Sequence, residues 1–155
     1  MLFRSLAQPV GTQTGKFQVG QLGALTAVAG YLSGNTQAIT ATPSDITNWT
    51  NSAANFMTAT AGNGQIAVLQ DGFYQITATV ITDISANNAG MTLYTRTNGG
   101  AFAQIGSAVT QTSVLASVSS TFSEPLVIGD FLTIGVDSTV AGNITAASYT
   151  ITRIA

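Results

Sequence analysis

Two segments of the chain combine a tight turn with a strictly alternating strand, and this pattern restricts the fold more than any other feature. Residues 71–81 begin with Asp-Gly, and residues 129–136 begin with Gly-Asp. In both segments apolar side chains then alternate with polar or small ones. Because successive side chains of a strand point to opposite faces, alternation after a turn indicates half-buried strands of an antiparallel sheet.

The alternation assigns the side chains of these segments to faces. The buried faces are predicted to hold the larger apolar residues, namely Tyr74, Ile76, Ala78, Val80, Leu132, Ile134 and Val136. The opposite faces carry threonine together with one phenylalanine each, Phe73 and Phe131. An aromatic on an otherwise polar face either fills a satellite cluster or contacts another subunit, so these two residues are candidate interface residues.

The rest of the chain after residue 34 contains short strand patterns separated by turns, the clearest turn being Asn98-Gly99-Gly100. About eight to ten strands at this spacing predict an antiparallel β-sandwich or barrel over residues 35–155. Residues 1–34 hold six glycines and no sustained period. We therefore expect them to form a separate N-terminal arm, extended or partly helical, that docks or assembles.

Composition excludes several classes of function. The 155 residues include no histidine and no cysteine, which removes the commonest general base, metal ligand and thiol nucleophile. Asp71 and Asp130 adjoin glycines and are predicted to form turns. No catalytic residue, cofactor site or metal site is therefore expected. Charged residues make up 6% of the chain with a net charge of −2, so nucleic acid is not an expected partner.

The same neutral composition suits contact between copies of the chain. Threonine fits the exposed face of a strand, and a surface with few charges produces little repulsion between subunits. No apolar signal-peptide region follows Arg4, so synthesis in a cytoplasm without a signal peptide is expected. The apolar run at residues 22–31 is shorter than the roughly 20 residues a membrane span needs.

Taken in order, several motifs resemble the C1q/TNF-like jelly-roll family. The family's strand opening of Gly, any residue and then an aromatic matches Gly72-Phe73-Tyr74-Gln75-Ile76. A short apolar strand precedes it at residues 64–68, and a Ser-rich strand leads to Gly-Asp at residues 119–134. Residues 148–151 occupy the place of the closing strand but lack the family's usual Gly-Phe-Leu ending. The resemblance covers about residues 36–155.

The resemblance implies a ten-stranded jelly roll that assembles as a compact homotrimer. It also implies a binding or structural role rather than a catalytic one. It makes Phe73 and Phe131 candidates for the threefold interface. A short arm on a Thr/Ala/Gly-rich jelly roll without cysteine looks like a bacteriophage virion protein, in the first place a capsid decoration or head-fibre protein. In this hypothesis residues 1–34 bind the major capsid protein or another virion protein, and the protein lies on the capsid surface.

Two alternatives remain open. One is a receptor-binding tip or tail protein that recognises a host glycan, for which Trp49 and Tyr94 are the candidate contacts because aromatic rings with a polar edge suit such sites. The other is a C1q-like protein of a bacterial surface coat, which differs only in its location. An enzyme is disfavoured because acid–base residues are missing.

Overall fold

The computed structural model describes residues 27–31, 36–50, 52–59, 62–84, 89–111 and 117–154. Within these ranges all regular structure is β, which confirms the predicted class. In chain order the strands are β1 (Ala27–Tyr31), β2 (Gln37–Ile39), β3 (Ser44–Asp45), β4 (Ser52–Ala53), β5 (Met57–Ala59), β6 (Ile66–Val68), β7 (Gly72–Thr82), β8 (Ala89–Thr97), β9 (Ala103–Gln111), β10 (Ser117–Leu126), β11 (Phe131–Ser138) and β12 (Gly142–Arg153).

The strands form two antiparallel sheets. The five-stranded sheet has the order β1-β12-β7-β10, with β2 also paired to β12. The seven-stranded sheet has the order β4-β5-β6-β11-β8-β9, with β3 also paired to β11. The chain crosses between the sheets repeatedly, and one cluster of buried side chains draws on strands of both sheets. This is the jelly-roll sandwich that the sequence predicts.

Strand β7 follows its predicted alternation. Tyr74, Ile76 and Val80 are fully buried, whereas Gln75 and Thr77 are exposed. The strand pairs with β10 along one side and with β12 along the other, so its backbone groups are satisfied on both edges. A strand paired on both sides cannot slip by one residue without exposing its apolar face.

Strand β11 differs from the prediction because both of its faces are buried. Leu132, Ile134 and Val136 lie in the core as expected, but Thr133 and Gly135 on the other face are buried too. The predicted polar face is covered by side chains from neighbouring segments. A Cβ atom on Gly135 would lie 2.5 Å from a ring atom of Phe102, so glycine makes room for that ring.

The N-terminal arm contributes a strand to the sheet. Ala27–Tyr31 pairs with β12 in the register Ala27 to Thr152 and Tyr31 to Ser148, so the sheet begins before the predicted boundary at residue 35. Helix was one option for this part of the arm, and the structure shows a strand instead. Glycine lowers helix stability, and the edge of β12 offers backbone hydrogen-bonding partners.

Residues 46–50 form no regular strand, because β3 ends at Asp45 and only an isolated bridge follows at Trp49. Asn48 has a φ of 59°, a left-handed conformation that interrupts an extended strand. After this turn the Trp49 side chain enters the core, where its ring meets Tyr149 edge-on at 4.8 Å between centroids.

Replacing Trp49 by alanine should lower the free energy of unfolding by about 3–5 kcal/mol, because it removes a fully buried ring from between the sheets. Chemical denaturation followed by circular dichroism measures this change. The matched control is Ile128→Ala, at a side chain that is 67% exposed, which should cost less than about 0.5 kcal/mol. Equal losses for the two variants would contradict the placement of Trp49 in the core.

Candidate functional site

The outer face of the five-stranded sheet is an array of small polar side chains, which we call the hydroxyl face. It is formed by alternate residues of the adjacent strands β7, β10 and β12: Gln75, Thr77, Thr79, Ser119, Thr121, Ser123, Ser148, Thr150 and Thr152. Backbone pairing places these residues in rows across the strands, such as Thr121 beside Thr77 beside Thr150. None of the nine side chains carries a charge.

Cross-strand hydrogen bonds join hydroxyls of this face. The Thr77 and Thr121 hydroxyl oxygens are 2.8 Å apart, and those of Thr79 and Ser119 are 2.9 Å apart. Covering a hydroxyl with a second surface removes its hydrogen bonds to water. This costs less free energy when the hydroxyl is already bonded to another hydroxyl of the protein. The hydroxyl face can therefore be buried at a low polar cost while the threonine methyl groups make apolar contacts.

One end of the hydroxyl face contains a shallow depression of about 140 Å³. It is lined by Thr79, Ile81, Ala146, Ala147 and Ser148. Ile81 is 37% exposed and supplies an apolar wall, while Ala146 is opposite it in register on β12. The depression is smaller than an ordinary small-molecule pocket, so it suits one inserted side chain of a neighbouring surface.

The two predicted interface phenylalanines lie on opposite outer faces of the sandwich. Phe73 is on β7, at one end of the five-stranded sheet, and is 40% exposed. Phe131 is on β11 in the other sheet and is partly buried, 3.9 Å from the position a Cβ atom would have on Gly99. The structure therefore does not bring Phe73 and Phe131 into one patch.

Of the two candidate glycan contacts, Trp49 does not reach the surface. Its side chain is 0% exposed, so its predicted role in glycan contact is wrong for the folded domain. The sequence pattern could not reveal this burial, because it depends on the left-handed turn at Asn48 and on Tyr149 from the far end of the chain.

Tyr94 lies on the outer face of the seven-stranded sheet in a cluster of interacting side chains. Its hydroxyl donates a hydrogen bond to Asp137 Oδ2 at 2.8 Å, and its ring meets Phe102 at 5.9 Å between centroids. Burial, and then the bond to Asp137, raise the pKa of the Tyr94 phenol. The Tyr94 hydroxyl is thus already engaged within the protein.

The same cluster contains an ion pair that sequence reasoning did not find. The Arg96 guanidinium binds the Asp45 carboxylate through two hydrogen bonds, one of them 3.0 Å from Nε. It also lies over the Phe102 ring, 4.6 Å from the centroid. Asp45 and Arg96 are distant in sequence, and only the pairing of β3 and β8 with β11 brings them together. The cluster fastens Phe102 over β11.

The turn-forming role predicted for Asp130 is confirmed, and the carboxylates of Asp130 and Asp71 both join separate segments. Asp130 accepts a hydrogen bond from the Val127 amide at 2.9 Å within its own turn and another from the Asn98 side chain at 2.7 Å. These donors lower the pKa of Asp130. Asp71 accepts a bond from the Ile128 amide at 2.7 Å.

Glu124 is the least favourably placed carboxylate. It lies on β10 opposite Tyr74, and its Oε1 atom is buried without a hydrogen-bond partner. Burial, and then repulsion from Asp130, raise its pKa. A single unpaired carboxylate of this kind can lower stability, but it does not constitute an acid–base site.

The described residues contain no group of three or more acidic side chains placed to hold a metal ion. Among these acidic side chains, the Asp83 carboxylate accepts hydrogen bonds from the backbone and side-chain nitrogens of Asn143, at 2.7 and 2.8 Å. Nor do the described ranges include a helix long and apolar enough to cross a membrane.

Comparison with models of protein families and with curated protein sequences gives no match. Solved structures share the fold. Murine APRIL at pH 5.0 superposes with a TM-score of 0.57 at 12% identity, covering 82% of this chain and 98% of that chain. Eiger TNF from S. frugiperda superposes with a TM-score of 0.57 at 15% identity, covering 84% of this chain and 93% of that chain. The globular domain of the zebrafish complement 1qA protein superposes with a TM-score of 0.59 at 15% identity, covering 83% of this chain and 97% of that chain. The chain therefore has the jelly-roll fold of C1q/TNF-like proteins.

Replacing Glu124 by glutamine should stabilise the protein at neutral pH. The folded-state pKa of Glu124 is raised, so its protonated form favours folding and this contribution is lost as pH rises through that pKa. The gain should be at most about 1 kcal/mol, since water still reaches part of the carboxylate. It should shrink as pH falls toward about 4, the range of an unfolded glutamate. Thermal melts across this range measure it.

Asp130→Asn provides the control of opposite sign. Its pKa is lowered in the folded state, so the ionised carboxylate contributes stability that is lost on acidification. This variant should melt lower than the parent at neutral pH and approach it at low pH. A destabilised Glu124→Gln variant at neutral pH would contradict the unfavourable placement of the Glu124 carboxylate.

Proposed function

We propose that the protein is a non-enzymatic, homotrimeric structural protein of a virion, a capsid decoration or head-fibre protein held on the capsid by residues 1–34. The observation that carries the proposal is the hydroxyl face, an uncharged and internally hydrogen-bonded sheet surface on a C1q/TNF-like jelly roll. Such a surface suits permanent contact with further copies of the chain, and it offers no chemistry for catalysis.

Self-association is favoured by the physical properties of this surface. No charge of the hydroxyl face has to be removed from water, and the cross-strand hydroxyl pairs keep their bonds when covered. Ile81 and Phe73, at opposite ends of β7, supply apolar area beside the polar rows. Interfaces between permanently associated subunits are richer in apolar area than other surfaces, which these flanking side chains provide.

The opposite placement of Phe73 and Phe131 is compatible with a threefold ring. A ring-forming interface joins two different surfaces of the protomer, whereas a twofold interface uses the same surface twice. Phe73 on one face and Phe131 on the other can therefore both contribute to a trimer, each in a different half of the contact.

Anchoring by the arm is supported by its composition and by the place where it joins the fold. No residue from Phe17 to Ser44 is charged, so this stretch can enter a protein interface without desolvating a charge. Its strand β1 is paired along β12, so the segment before Ala27 is tied to the domain through five paired positions.

The glycan-binding alternative has less support than this proposal. Trp49 is buried in the core, and the hydroxyl of Tyr94 is bound to Asp137. The surface-coat alternative shares the fold and differs in location. Detection of the protein in purified virus particles, as opposed to bacterial cell envelopes, separates the two locations.

Light scattering at micromolar concentration should give the mass of a trimer for the parent protein. Thr77→Lys places a charge in the middle of the hydroxyl face and should give a monomer, because a buried unpaired ammonium is strongly unfavourable. The matched control is Thr110→Lys, an exposed threonine of the other sheet at the end of β9 away from Phe131, which should remain a trimer. A parent protein that is monomeric would refute the homotrimer.

Deletion of residues 1–26 tests the anchor while keeping β1 in the sheet. Virus particles stripped of the protein should bind the parent protein saturably and should not bind the deletion variant. Unchanged oligomeric state and melting temperature provide the folding control for this variant. Full retention of particle binding after the deletion would refute the anchoring role.

A further inference from the structure

Large apolar side chains are exposed mainly at one end of the sandwich. Among the described residues, six such side chains are exposed, and one of them, Ile81, lies at the far end of β7. The other five define what we call the apolar end: Leu69 (42% exposed), Phe73 (40%), Val127 (56%), Ile128 (67%) and Ile154 (40%).

Backbone and side-chain hydrogen bonds bring these separate segments together. The Ile128 amide donates to Asp71 Oδ1 at 2.7 Å, which joins the β10–β11 turn to the start of β7. The amide of Gly129 donates to the Val68 carbonyl at 3.2 Å, next to Leu69. The Ile154 amide donates to the Phe73 carbonyl at 2.8 Å. The five side chains of the apolar end therefore lie on segments that are joined at one end of the sandwich.

The turn that carries Val127 and Ile128 is held rigidly. The Asp130 amide donates to the Val127 carbonyl at 3.0 Å, and the Val127 amide donates to Asp130 Oδ2 at 2.9 Å. Turn tips ordinarily carry Gly, Asn, Asp, Ser or Pro, whose polar groups or backbone freedom suit that position. Two branched apolar side chains on a fixed turn leave a preorganised apolar tip in water. An exposed apolar patch of this kind marks a contact surface.

The direction of β1 relates the apolar end to the arm. Ala27 is opposite Thr152, two residues before Ile154, while Tyr31 is opposite Ser148 further along β12. The polypeptide thus enters the sheet at the apolar end. A tether formed by residues 1–26 would start beside this end, and tethering raises the effective concentration of a second, weaker contact.

The charges around the apolar end favour a protein partner over a lipid surface. The carboxylates of Asp71 and Asp130 lie at its base, and the one nearby cation among the described residues, Arg153, donates two hydrogen bonds to the Asp71 carbonyl, at 3.1 and 2.7 Å. A membrane-binding surface uses an excess of basic residues and interfacial Trp or Tyr, and the apolar end offers neither.

We propose that the apolar end is a second docking surface for the shell protein that residues 1–34 anchor to, with Val127 and Ile128 inserting into an apolar pocket of that protein. This inference rests on the proposed function. In this arrangement the apolar end of the domain faces the shell protein. The opposite end of β7, which carries Ile81, points away from the shell. Arm and turn act together as two linked contacts.

The test compares two serine variants in binding to stripped virus particles. The double variant Val127→Ser/Ile128→Ser should weaken binding about ten- to a hundredfold, since two branched apolar side chains lose their buried contact. Thr110→Ser is the control, at an exposed position of β9 that pairs with Gly90 at the far end of β8, and it should bind like the parent. Both variants should keep the parent's melting temperature and mass.

The outcomes distinguish this inference from the proposed function. Parent-like binding of the double variant, with binding lost on deleting residues 1–26, would overturn the docking role of the apolar end and leave the anchored virion protein intact. A parent protein that does not bind particles would overturn both.

Photo-crosslinking identifies the occupant directly. Benzoylphenylalanine in place of Ile128 should crosslink to the shell protein in assembled particles, and the same group in place of Ile81 should not. A crosslink between two copies of the chain at position 128 would show that the apolar end is an intersubunit contact, and a crosslink to lipid would show a membrane contact. Either result would overturn the proposal.

Discussion

The antiparallel ladder that joins β7 to β10 on one side and to β12 on the other is the interaction on which the rest of the structure depends. It holds β7 in one register along nearly its whole length. That register turns Tyr74, Ile76 and Val80 into the core. The same alternation turns Thr77 and Thr79 outward, where they bond to hydroxyls of β10. One ladder therefore determines both the core and the surface proposed to associate.

The two Gly/Asp turns connect this ladder to the ends of the sandwich. A carboxylate in a turn can bond the backbone locally, which is the role the sequence predicts for Asp71 and Asp130. In the folded protein Asp130 makes such a local bond, and each of the two carboxylates receives a donor from another segment, Ile128 for Asp71 and Asn98 for Asp130. These bonds satisfy polar groups at the end of the sandwich, where the side chains of Val127 and Ile128 face water. Rigid turns and an apolar tip are thus consequences of the same few bonds.

Much of the fold was accessible from the sequence because a half-buried strand carries its own signal. The alternation in residues 71–81 predicted the buried side of β7, and the motif order predicted the jelly roll. For β11 the alternation predicted an exposed polar face, which is wrong. Alternation shows which face of a strand is more apolar, but not whether the other face is covered. Phe102 covers it from another segment, held by Arg96. Trp49 was likewise predicted to be a surface aromatic. The left-handed turn at Asn48 instead precedes a buried side chain that packs against Tyr149.

The sequence by itself determined the class of fold, the turn positions, the neutral and hydroxyl-rich surface and the absence of histidine and cysteine chemistry. Those properties depend on residue types and on short-range periodicity, which the chain carries locally. Only the tertiary structure decided that Phe73 and Phe131 face opposite ways, that Asp45 meets Arg96, and that Leu69, Phe73, Val127, Ile128 and Ile154 share one end. These relations depend on which strands become neighbours, and long-range pairing places residues together that no local pattern connects.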